Sequence, residues 1–449
     1  MRTTISILLC KLITVICKVL GPIFHKEGSV LPGRCIAKIQ KNVLDRLKYP
    51  LYVVAVTGSS GKGSTVSMVA HILEGNGKKV VWNKNGSNVR SAIITLLLNN
   101  TRAFSHKVSA DVVLLEMDER FITGTFRPGI ITHMAITNIT RDQPSRNIHP
   151  DVIFGKIFES IDDSMHLILN VDDPLLAKGK FVHSGSITTY GIDETSLASK
   201  KILDYPVDAA YCPSCHTKLV YDFYHYGHLG KFSCPRCSFG RGKLDFEAKN
   251  VDFEKGTFEL DDRTLKLNKS VYFAVYYTLL AYTICDLINI DEDGIVREIN
   301  ENEMDSKRGK KYFVDQRKVE MLESKNENAL SYLQSIEYIK MQPGKKVVIM
   351  GFENVSRRYK YNDLSWLWDV PFEGLVDEHI EKIFCIGRFR YDVAARLRYA
   401  GIDEETIFLV NDLDNLISDV QSMSSGDIYT MVCFDMTAII KKQIEGVTK

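Results

Sequence analysis

A glycine-rich turn is the first part of the chain whose residues suit a chemical role. Residues 53–56 read Val-Val-Ala-Val, typical of a buried parallel strand, and TGSSGKGST follows at residues 57–65. A helix-like pattern comes next, so backbone N–H groups and a helix N-terminus would point at a phosphate. The spacing is G-x-x-G-K, unlike the G-x4-G-K of the usual P-loop. We still predict a nucleotide site, in which Lys62 reaches the terminal phosphates and Ser64 or Thr65 contacts Mg²⁺.

A second apolar run ends in carboxylates, which a Mg²⁺-nucleotide site needs. Residues 112–119 read VVLLEMDE. Alternation along a strand would place Glu116 and Asp118 on one face and Glu119 on the other. A solvated turn is the alternative, but carboxylate oxygens are good Mg²⁺ ligands, and we predict that Glu116 binds the ion.

Four cysteines form two matched C-x2-C pairs, CPSC and CPRC. They are Cys212, Cys215, Cys234 and Cys237. Two such knuckles bring four thiolates to tetrahedral reach, and the closed shell predicts a structural zinc ion. A redox dithiol is the alternative, although it would favour one C-x2-C at the start of a helix. His216, His225 and His228 lie nearby and are alternative ligands, but we expect them on the surface because four thiolates complete the site.

Composition narrows the class of protein. With 449 residues the chain can form two or three domains with proper cores. A net charge of +1, with 45% hydrophobic and 25% charged residues, is typical of a soluble globular protein and gives no sign of a nucleic-acid partner. The remaining cysteines are scattered, which argues against a disulfide framework and favours the reducing cytoplasm.

The N-terminal region is the one place where a membrane enters the prediction. Residues 5–20 are mostly apolar, but Lys11 and Lys18 interrupt them, so a spanning helix is disfavoured. No small-residue cleavage site follows. We expect a helix packed on the domain, and a peripheral contact of residues 2–20 with a membrane surface is the alternative.

Short apolar runs alternate with helix-like segments along most of the chain, which predicts parallel sheets with right-handed crossovers. Further strands of the first sheet are predicted at residues 80–82, 110–117, 133–138 and 167–171. Strands of a second, smaller α/β domain are predicted at residues 347–350, 383–386, 407–409 and 428–433. The predicted domains are an N-terminal helix and connector at 1–48, an ATP-binding domain at 49–300 with a Cys-rich insertion at 205–242, and an α/β domain at 301–449.

Four motifs resemble those of the Mur ligases, ATP-dependent enzymes that join an amine to a carboxylate through an acyl phosphate. They are the TGxxGK turn, the acidic strand end at 116–119, T-N-x-x-R-D at 137–142 and N-x-D-D-P at 170–174. The resemblance implies an α/β fold, with a parallel-sheet P-loop middle domain, a zinc-ribbon insertion and a smaller Rossmann-like C-terminal domain.

Two further features are similar to the MurT family, the ligase-like subunits of lipid II isoglutaminyl synthases. These are the CPxC/CPxC insertion and a D-x-S-W-x-x-D segment at 363–369. The resemblance implies that ATP phosphorylates the α-carboxylate of D-glutamate in the lipid II stem peptide and that ammonia then gives D-isoglutamine. A separate glutaminase subunit, in a heterodimer or larger assembly, would supply the ammonia. Asp363 would complete that partner's catalytic triad, and a helix N-cap is its alternative role.

The resemblance also implies a set of ligands. The implied nucleotide contacts are Gly58, Gly61, Lys62, Gly63, Ser64, Thr65, Asn138 and Arg308. The implied cofactors are ATP, Mg²⁺ at Glu116 and structural Zn²⁺, in the cytoplasm or at the inner face of the membrane. Departures from the family pattern include Gly63 after the P-loop lysine, and Ala274 and Tyr277 where adenine-binding asparagines are expected. A ligase of the Mur or folylpolyglutamate synthase type acting on another carboxylate, and a catalytically decayed binding partner, are the alternative functions.

Overall fold

The computed structural model of the protein describes residues 1–24, 30–84, 86–141, 149–201, 207–301, 312–324, 327–355 and 363–447. These residues form two compact units. The first contains the described parts of Met1–Ile139, Pro150–Lys201 and Ala209–Met304. The second contains the described parts of Thr140–His149, Ile202–Asp208 and Asp305–Lys449.

A large mixed sheet forms the centre of the first unit. Its strands are β1 (Tyr52–Thr57), β2 (Val80–Trp82), β3 (Val112–Glu116), β4 (His133–Ile136), β5 (His166–Asn170), β6 (Ile187–Ile192), β9 (Phe246–Asp252), β10 (Thr257–Leu260) and β11 (Arg263–Lys266). A separate hairpin consists of β7 (Val220–Tyr226) and β8 (Leu229–Ser233). The strand order in the described sheet is β11-β10-β9-β6-β5-β4-β1-β3-β2. All pairs from β9 to β2 are parallel, while β10 and β11 add an antiparallel edge.

Helices cover both faces of this sheet. They are α1 (Arg2–Phe24), α2 (Leu31–Ile39), α3 (Lys62–Gly75), α4 (Arg90–Asn99), α5 (Pro150–Phe158), α6 (Pro174–Ala177), α7 (Tyr272–Leu287) and α8 (Glu292–Asn300). Val53 and Ala55 of β1 lie in one core cluster with Ile93 and Leu97 of α4. Val54 and Val56 are also fully buried, on the alternate positions of the strand. Burial on both faces explains why this strand reads as a continuous apolar run.

The second unit is a smaller α/β layer structure. Its strands are β12 (Tyr312–Val314), β13 (Arg317–Glu323), β14 (Lys346–Gly351), β15 (Ile380–Ile386), β16 (Ile407–Leu409) and β17 (Asp427–Val432). Its helices are α9 (Ala329–Met341), α10 (Arg390–Tyr399), α11 (Leu416–Met423) and α12 (Phe434–Val447). The strand order in the described part is β12-β13-β17-β14-β15-β16, parallel except for β12. The predicted α/β fold class is therefore confirmed, together with the four strands expected in this unit.

The prediction for the N-terminal helix is confirmed as far as its packing goes. Ile7 and Cys10 of α1 are fully buried in the core cluster that also contains α4. By length and composition, Arg2–Leu20 is apolar enough to cross a membrane, with a mean hydropathy of 2.0. Among the described residues it is the one helix that meets this criterion.

Candidate nucleotide site and four-cysteine centre

The turn after β1 has a backbone that requires glycine at two positions. Gly58 and Gly61 have φ angles of 125° and 84°, in the region that L side chains avoid. A Cβ at Gly58 would also overlap Thr137 Oγ1 and lie 2.8 Å from Asn138 O. The turn is therefore pressed against the end of β4, with α3 starting directly after Gly61.

The end of β4 holds the turn by hydrogen bonds. Asn138 Oδ1 accepts from Ser60 N at 3.1 Å, and Asn138 Nδ2 donates to Ser60 O at 3.2 Å. Its carbonyl accepts from Ser59 N at 2.9 Å, and the Thr137 hydroxyl donates to Ser60 O at 2.6 Å. In this structure Asn138, predicted as a nucleotide contact, positions the turn. The contact of Thr137 with the turn was not predicted, although Thr137 opens the T-N motif.

Lys62 is the first residue of α3, and its side chain folds over the turn. Its Nζ donates to Gly58 O and, at 3.5 Å, to Ser59 O, and lies 3.6 Å from Glu119 Oε2. Both charged side chains are largely buried. The expectation that Glu119 points away from this side is wrong. Because β3 ends at Glu116, strand alternation no longer sets the direction of Glu119.

Glu116 is held by two asparagines from the end of β2. Asn83 exchanges hydrogen bonds of 2.9 and 2.8 Å with the backbone of Glu116, and Asn88 Nδ2 donates to Glu116 Oε1 at 3.2 Å. Asp118 instead forms an ion pair of 3.0 Å with Arg120. Burial opposes ionisation of Asp118, but the hydrogen bonds and charge of Arg120 outweigh it and lower the pKa of this carboxyl. Glu116 is thus the better-suited Mg²⁺ ligand of the two.

The remaining residues predicted to contact the nucleotide differ in how exposed their side chains are. Thr65 is fully buried and its hydroxyl donates to Gly61 O at 3.1 Å, whereas Ser64 is half-buried. Ser64 is therefore the hydroxyl better placed for a metal ion. Tyr277 is buried and its hydroxyl donates to Asn268 Oδ1. Arg308 lies outside the described residues.

These features together suit a Mg²⁺-nucleotide. The turn has no room for side chains at Gly58, a lysine amine lies over it, and a carboxylate stands at the end of the adjacent strand β3. Ligands of parallel sheets collect at the carboxyl ends of strands, which is where these groups meet.

The four predicted cysteines come together at one point of the insertion. Their Sγ atoms all lie within 4.8 Å of one another. The Cys212–Cys237 and Cys215–Cys234 Sγ distances are 3.6 and 3.4 Å. A tetrahedral shell with Zn–S bonds of about 2.3 Å needs Sγ–Sγ separations of about 3.8 Å, so the residues fit zinc. Neither C-x2-C pair starts a helix, which disfavours the redox alternative.

Two of the three nearby histidines are not surface residues, and that expectation is wrong for them. His216 is exposed as predicted, whereas His225 and His228 are 6% and 2% exposed. The reason is that the β7–β8 hairpin folds onto the large sheet. His228 Nε2 lies 3.3 Å from Asp173 Oδ1, and His225 Nε2 lies 3.1 Å from Ile192 O.

Asp172 forms a second, fully buried link between the sheet and the insertion. Its carboxylate accepts from Ile192 N and from Tyr276 Oη, both at 2.8 Å. It also lies 3.2 Å from Arg241 Nη1, just after the second CPxC pair. Burial raises the pKa of Asp172 to about 6, despite the opposing effect of Arg241. The two aspartates of the N-x-D-D-P motif therefore hold the Cys-rich insertion against the sheet.

In the second unit, two motifs noted separately in the sequence meet. Arg141 of T-N-x-x-R-D donates to Asp208 Oδ1 at 3.1 Å and to Asp369 Oδ2 at 2.9 Å. Asp369 ends D-x-S-W-x-x-D. At the start of that segment, Asp363 Oδ1 accepts from Ser365 N at 2.9 Å. This local turn contact resembles the one expected of a helix N-cap, the alternative role of Asp363.

Comparison with known proteins places this geometry in a family. The Mur ligase middle domain matches residues 56–223, and the MurT ligase C-terminal domain matches residues 325–437. The chain belongs to the Mur ligase family. As a Mur ligase it is an ATP-dependent carbon–nitrogen ligase, as its motifs predict, and the family implies ATP and Mg²⁺.

Sequence similarity to relatives of this Mur ligase extends over most of its length. It is 26% identical over 407 residues to the lipid II isoglutaminyl synthase (glutamine-hydrolyzing) subunit MurT of Staphylococcus aureus (strain N315), covering 90% of this chain and 89% of that protein. It is 25% identical over 417 residues to the protein of the same name from Streptococcus pneumoniae, covering 91% and 90%.

Solved structures support the same fold. A pseudomurein peptide ligase type C from Methanothermus fervidus has a TM-score of 0.66 at 19% identity, with 90% of this chain and 80% of that chain covered. MurF from Acinetobacter baumannii has a TM-score of 0.64 at 14% identity, covering 92% and 80%. At these identities the likeness concerns the fold alone.

Proposed function

We propose that this Mur ligase is the ligase subunit of a glutamine-dependent amidating enzyme. It activates the α-carboxylate of D-glutamate in the lipid II stem peptide as an acyl phosphate, and ammonia from a partner glutaminase converts it to D-isoglutamine. The similarity to MurT proteins over about nine-tenths of both chains carries this proposal. The four-cysteine cluster and the D-x-S-W-x-x-D segment, both similar to MurT features, support it.

The residues of the first unit have distinct roles in this reaction. Bound Mg²⁺-ATP supplies a phosphoryl group that turns a carboxylate oxygen into a leaving group. Lys62 would exchange its contacts with backbone carbonyls for the terminal phosphate, and Glu116 and Ser64 would hold the metal ion. Positioning and charge stabilisation of this kind are the main contributions of a protein to phosphoryl transfer.

Asp363 would act in the active site of the partner glutaminase. The turn to Ser365 uses Oδ1, and Oδ2 is the atom that we propose accepts from a histidine of the glutaminase. In that position it would fix the tautomer of the histidine and stabilise its charged form. Ammonia production, and not carboxylate activation, would then depend on Asp363.

One experiment separates these roles. The chain is co-expressed with its glutaminase, and conversion of glutamate-containing lipid II is followed by mass spectrometry with ATP and either glutamine or ammonium. Asp363→Asn should abolish the glutamine-driven reaction and leave the ammonium-driven one, whereas Lys62→Ala should abolish both. Asp392→Asn, at an exposed acid of α10, is the matched control. Unchanged glutamine hydrolysis in Asp363→Asn would refute the triad role.

A catalytically decayed binding partner is the second candidate function. Tyr277 favours it, because this residue stands where an adenine-binding asparagine is expected and its hydroxyl donates to Asn268 Oδ1. Calorimetry with ATP at millimolar concentration distinguishes the two, because the decayed protein would bind its partner without binding nucleotide. A screen for ADP release would reveal a ligase that acts on another carboxylate.

A further inference from the structure

The inward face of helix α1 is mixed, because polar side chains lie there beside the buried Ile7 and Cys10. Four polar side chains of α1 bond to the protein, whereas Lys18 is exposed. The contacts are Ser6 Oγ to Gln40 Oε1 at 2.9 Å, Lys11 Nζ to Thr101 O at 2.8 Å, Thr4 Oγ1 with His106 Nε2 at 3.0 Å, and Asn99 Nδ2 to Thr14 Oγ1 at 3.0 Å. A surface helix of a protein surrounded by water normally turns its apolar side inward and its polar side outward.

The outer face of α1 is apolar from Ile5 to Leu20. The outward side chains, here called the apolar stripe, are 43–67% exposed. They are Ile5, Leu8, Leu12, Val15, Ile16, Val19 and Leu20. Their spacing of three and four residues puts them on one side of the helix. Leaving such a contiguous surface in water is costly, at about 25 cal/mol per Å² of apolar area.

The inward contacts determine how α1 would meet an apolar phase. Lys11, in the middle of the helix, and Ser6 and Thr14 on either side are fixed to the protein surface. A helix crossing a bilayer would carry these polar groups, and the protein attached to them, into hydrocarbon. A helix lying in the plane of the interface immerses the apolar stripe alone.

The charge around the apolar stripe is positive. Neither α1 nor α2 contains an acidic residue. Exposed basic side chains are Lys18 on α1, Arg34 and Lys38 on α2, and Lys41 just beyond. On α2, Leu31 and Ile39 add exposed apolar side chains among them. A second copy of this chain would bring like charges together, whereas anionic lipid headgroups complement them, at about 1 kcal/mol per basic residue.

We propose that the apolar stripe and its basic surround form a docking surface for an anionic lipid bilayer. The chain then lies on the membrane surface, with α1 parallel to the bilayer plane. The proposal does not rest on the ligase reaction, because vesicle binding needs neither ATP nor a partner. A ligase acting on a lipid-linked carboxylate would gain from it by meeting its substrate in two dimensions.

Co-sedimentation of the full chain with vesicles tests the proposal. Vesicles of phosphatidylcholine with phosphatidylglycerol should bind the chain, and vesicles of phosphatidylcholine alone should bind it about tenfold more weakly. Leu12→Glu with Val15→Glu should lower binding to the anionic vesicles at least about tenfold. Val152→Glu, at a half-exposed valine of α5, is the matched control and should not change it. Circular dichroism and thermal unfolding check that each variant is folded.

Three results would overturn the proposal. Binding that is unaffected by the stripe variant would show that another surface carries it. A dimer in light scattering, dissociated by Leu12→Glu, with no vesicle binding by the parent chain would make the stripe a contact between copies. Resistance of the bound chain to alkaline carbonate, which strips proteins held at the surface, would make α1 a spanning helix.

Discussion

Lys62 Nζ lies 3.6 Å from Glu119 Oε2 at the start of α3, in a part of the first unit from which solvent is largely excluded. The turn that is expected to bind phosphate therefore carries its own carboxylate counter-ion. An incoming phosphate must compete with Glu119 for the same amine. In the described structure the lysine is also held by the carbonyls of the turn.

Replacement of Glu119 by glutamine should therefore strengthen binding of Mg²⁺-free ATP. The carboxylate repels the phosphates and occupies Lys62, and its loss is worth up to about 1.4 kcal/mol, or tenfold in affinity. Calorimetry in EDTA measures the effect. Glu74→Gln is the control. It changes an exposed acid of α3, the helix that begins at Lys62, and should leave the affinity unchanged. Weaker binding by Glu119→Gln would mean that Glu119 supports the site.

Removal of zinc should unfold the Cys-rich insertion. Four thiolates within 4.8 Å of one another repel without a cation, and structural zinc contributes directly to folding. We expect one zinc ion per chain by mass spectrometry of metals, none in Cys215→Ser, and a melting temperature lowered by several degrees. Cys285→Ala, at a buried thiol of α7, should keep its zinc. A full metal content in Cys215→Ser would exclude the proposed ligand set.

The insertion should also affect the nucleotide turn. Asp173 connects them, because Oδ1 faces His228 of the hairpin while Oδ2 accepts from Ile139 N at 2.7 Å. Ile139 follows Asn138, which holds Ser60 of the turn. His228→Ala should weaken ATP binding about fivefold, or by about 1 kcal/mol, because Asp173 loses a buried polar contact, and it should not lose zinc.

Exposed His216 supplies the control for that variant, and His216→Ala should bind ATP like the parent chain. Zinc content is measured on the same samples by the same method. If His228→Ala keeps both its zinc and its ATP affinity, the insertion and the turn are independent.

Local patterns predicted much of the fold and of the site. The turn after β1 and the two C-x2-C pairs were recognised because glycine at positive φ and paired thiolates leave a signature within a few residues. Most parallel strands of both units were recognised because burial on both faces makes them continuous apolar runs, but β6 and β13, which also pair in parallel, were overlooked. The antiparallel edge was overlooked, because the residues of β9 to β11 alternate between buried and exposed and many are charged.

What depended on distant contacts could not be predicted. His228 looks like a surface histidine until the hairpin meets Asp173, far back in the chain. The direction of Glu119 depended on where β3 stops, and strand ends are the least predictable feature of a sequence. Arg141 and Asp369 lie 228 positions apart in two separate motifs, and sequence patterns give no sign of their contact.

Two histidines on adjacent strands should make the first unit sensitive to acid. His133 of β4 and His166 of β5 are paired in register, with ring centroids 5.4 Å apart. Burial, followed by the charge of His166, lowers the pKa of His133 to about 4. In the unfolded chain His133 therefore takes up a proton near the ordinary histidine pKa of about 6.5. In the folded chain it stays neutral at that pH. Stability from this residue is complete above pH 6.5 and is lost as the pH falls toward 4.

Urea unfolding of the full chain between pH 7 and pH 5 measures this loss. The free energy of unfolding should fall over that interval, and less steeply in His133→Gln, because glutamine does not titrate. His216→Gln, at an exposed histidine of the insertion, should follow the parent curve. The comparison concerns the slope with pH, so a uniform loss of stability from imperfect packing of glutamine does not affect it. Equal slopes for His133→Gln and the parent chain would show that the stacked pair is not the acid-sensitive element of this sheet.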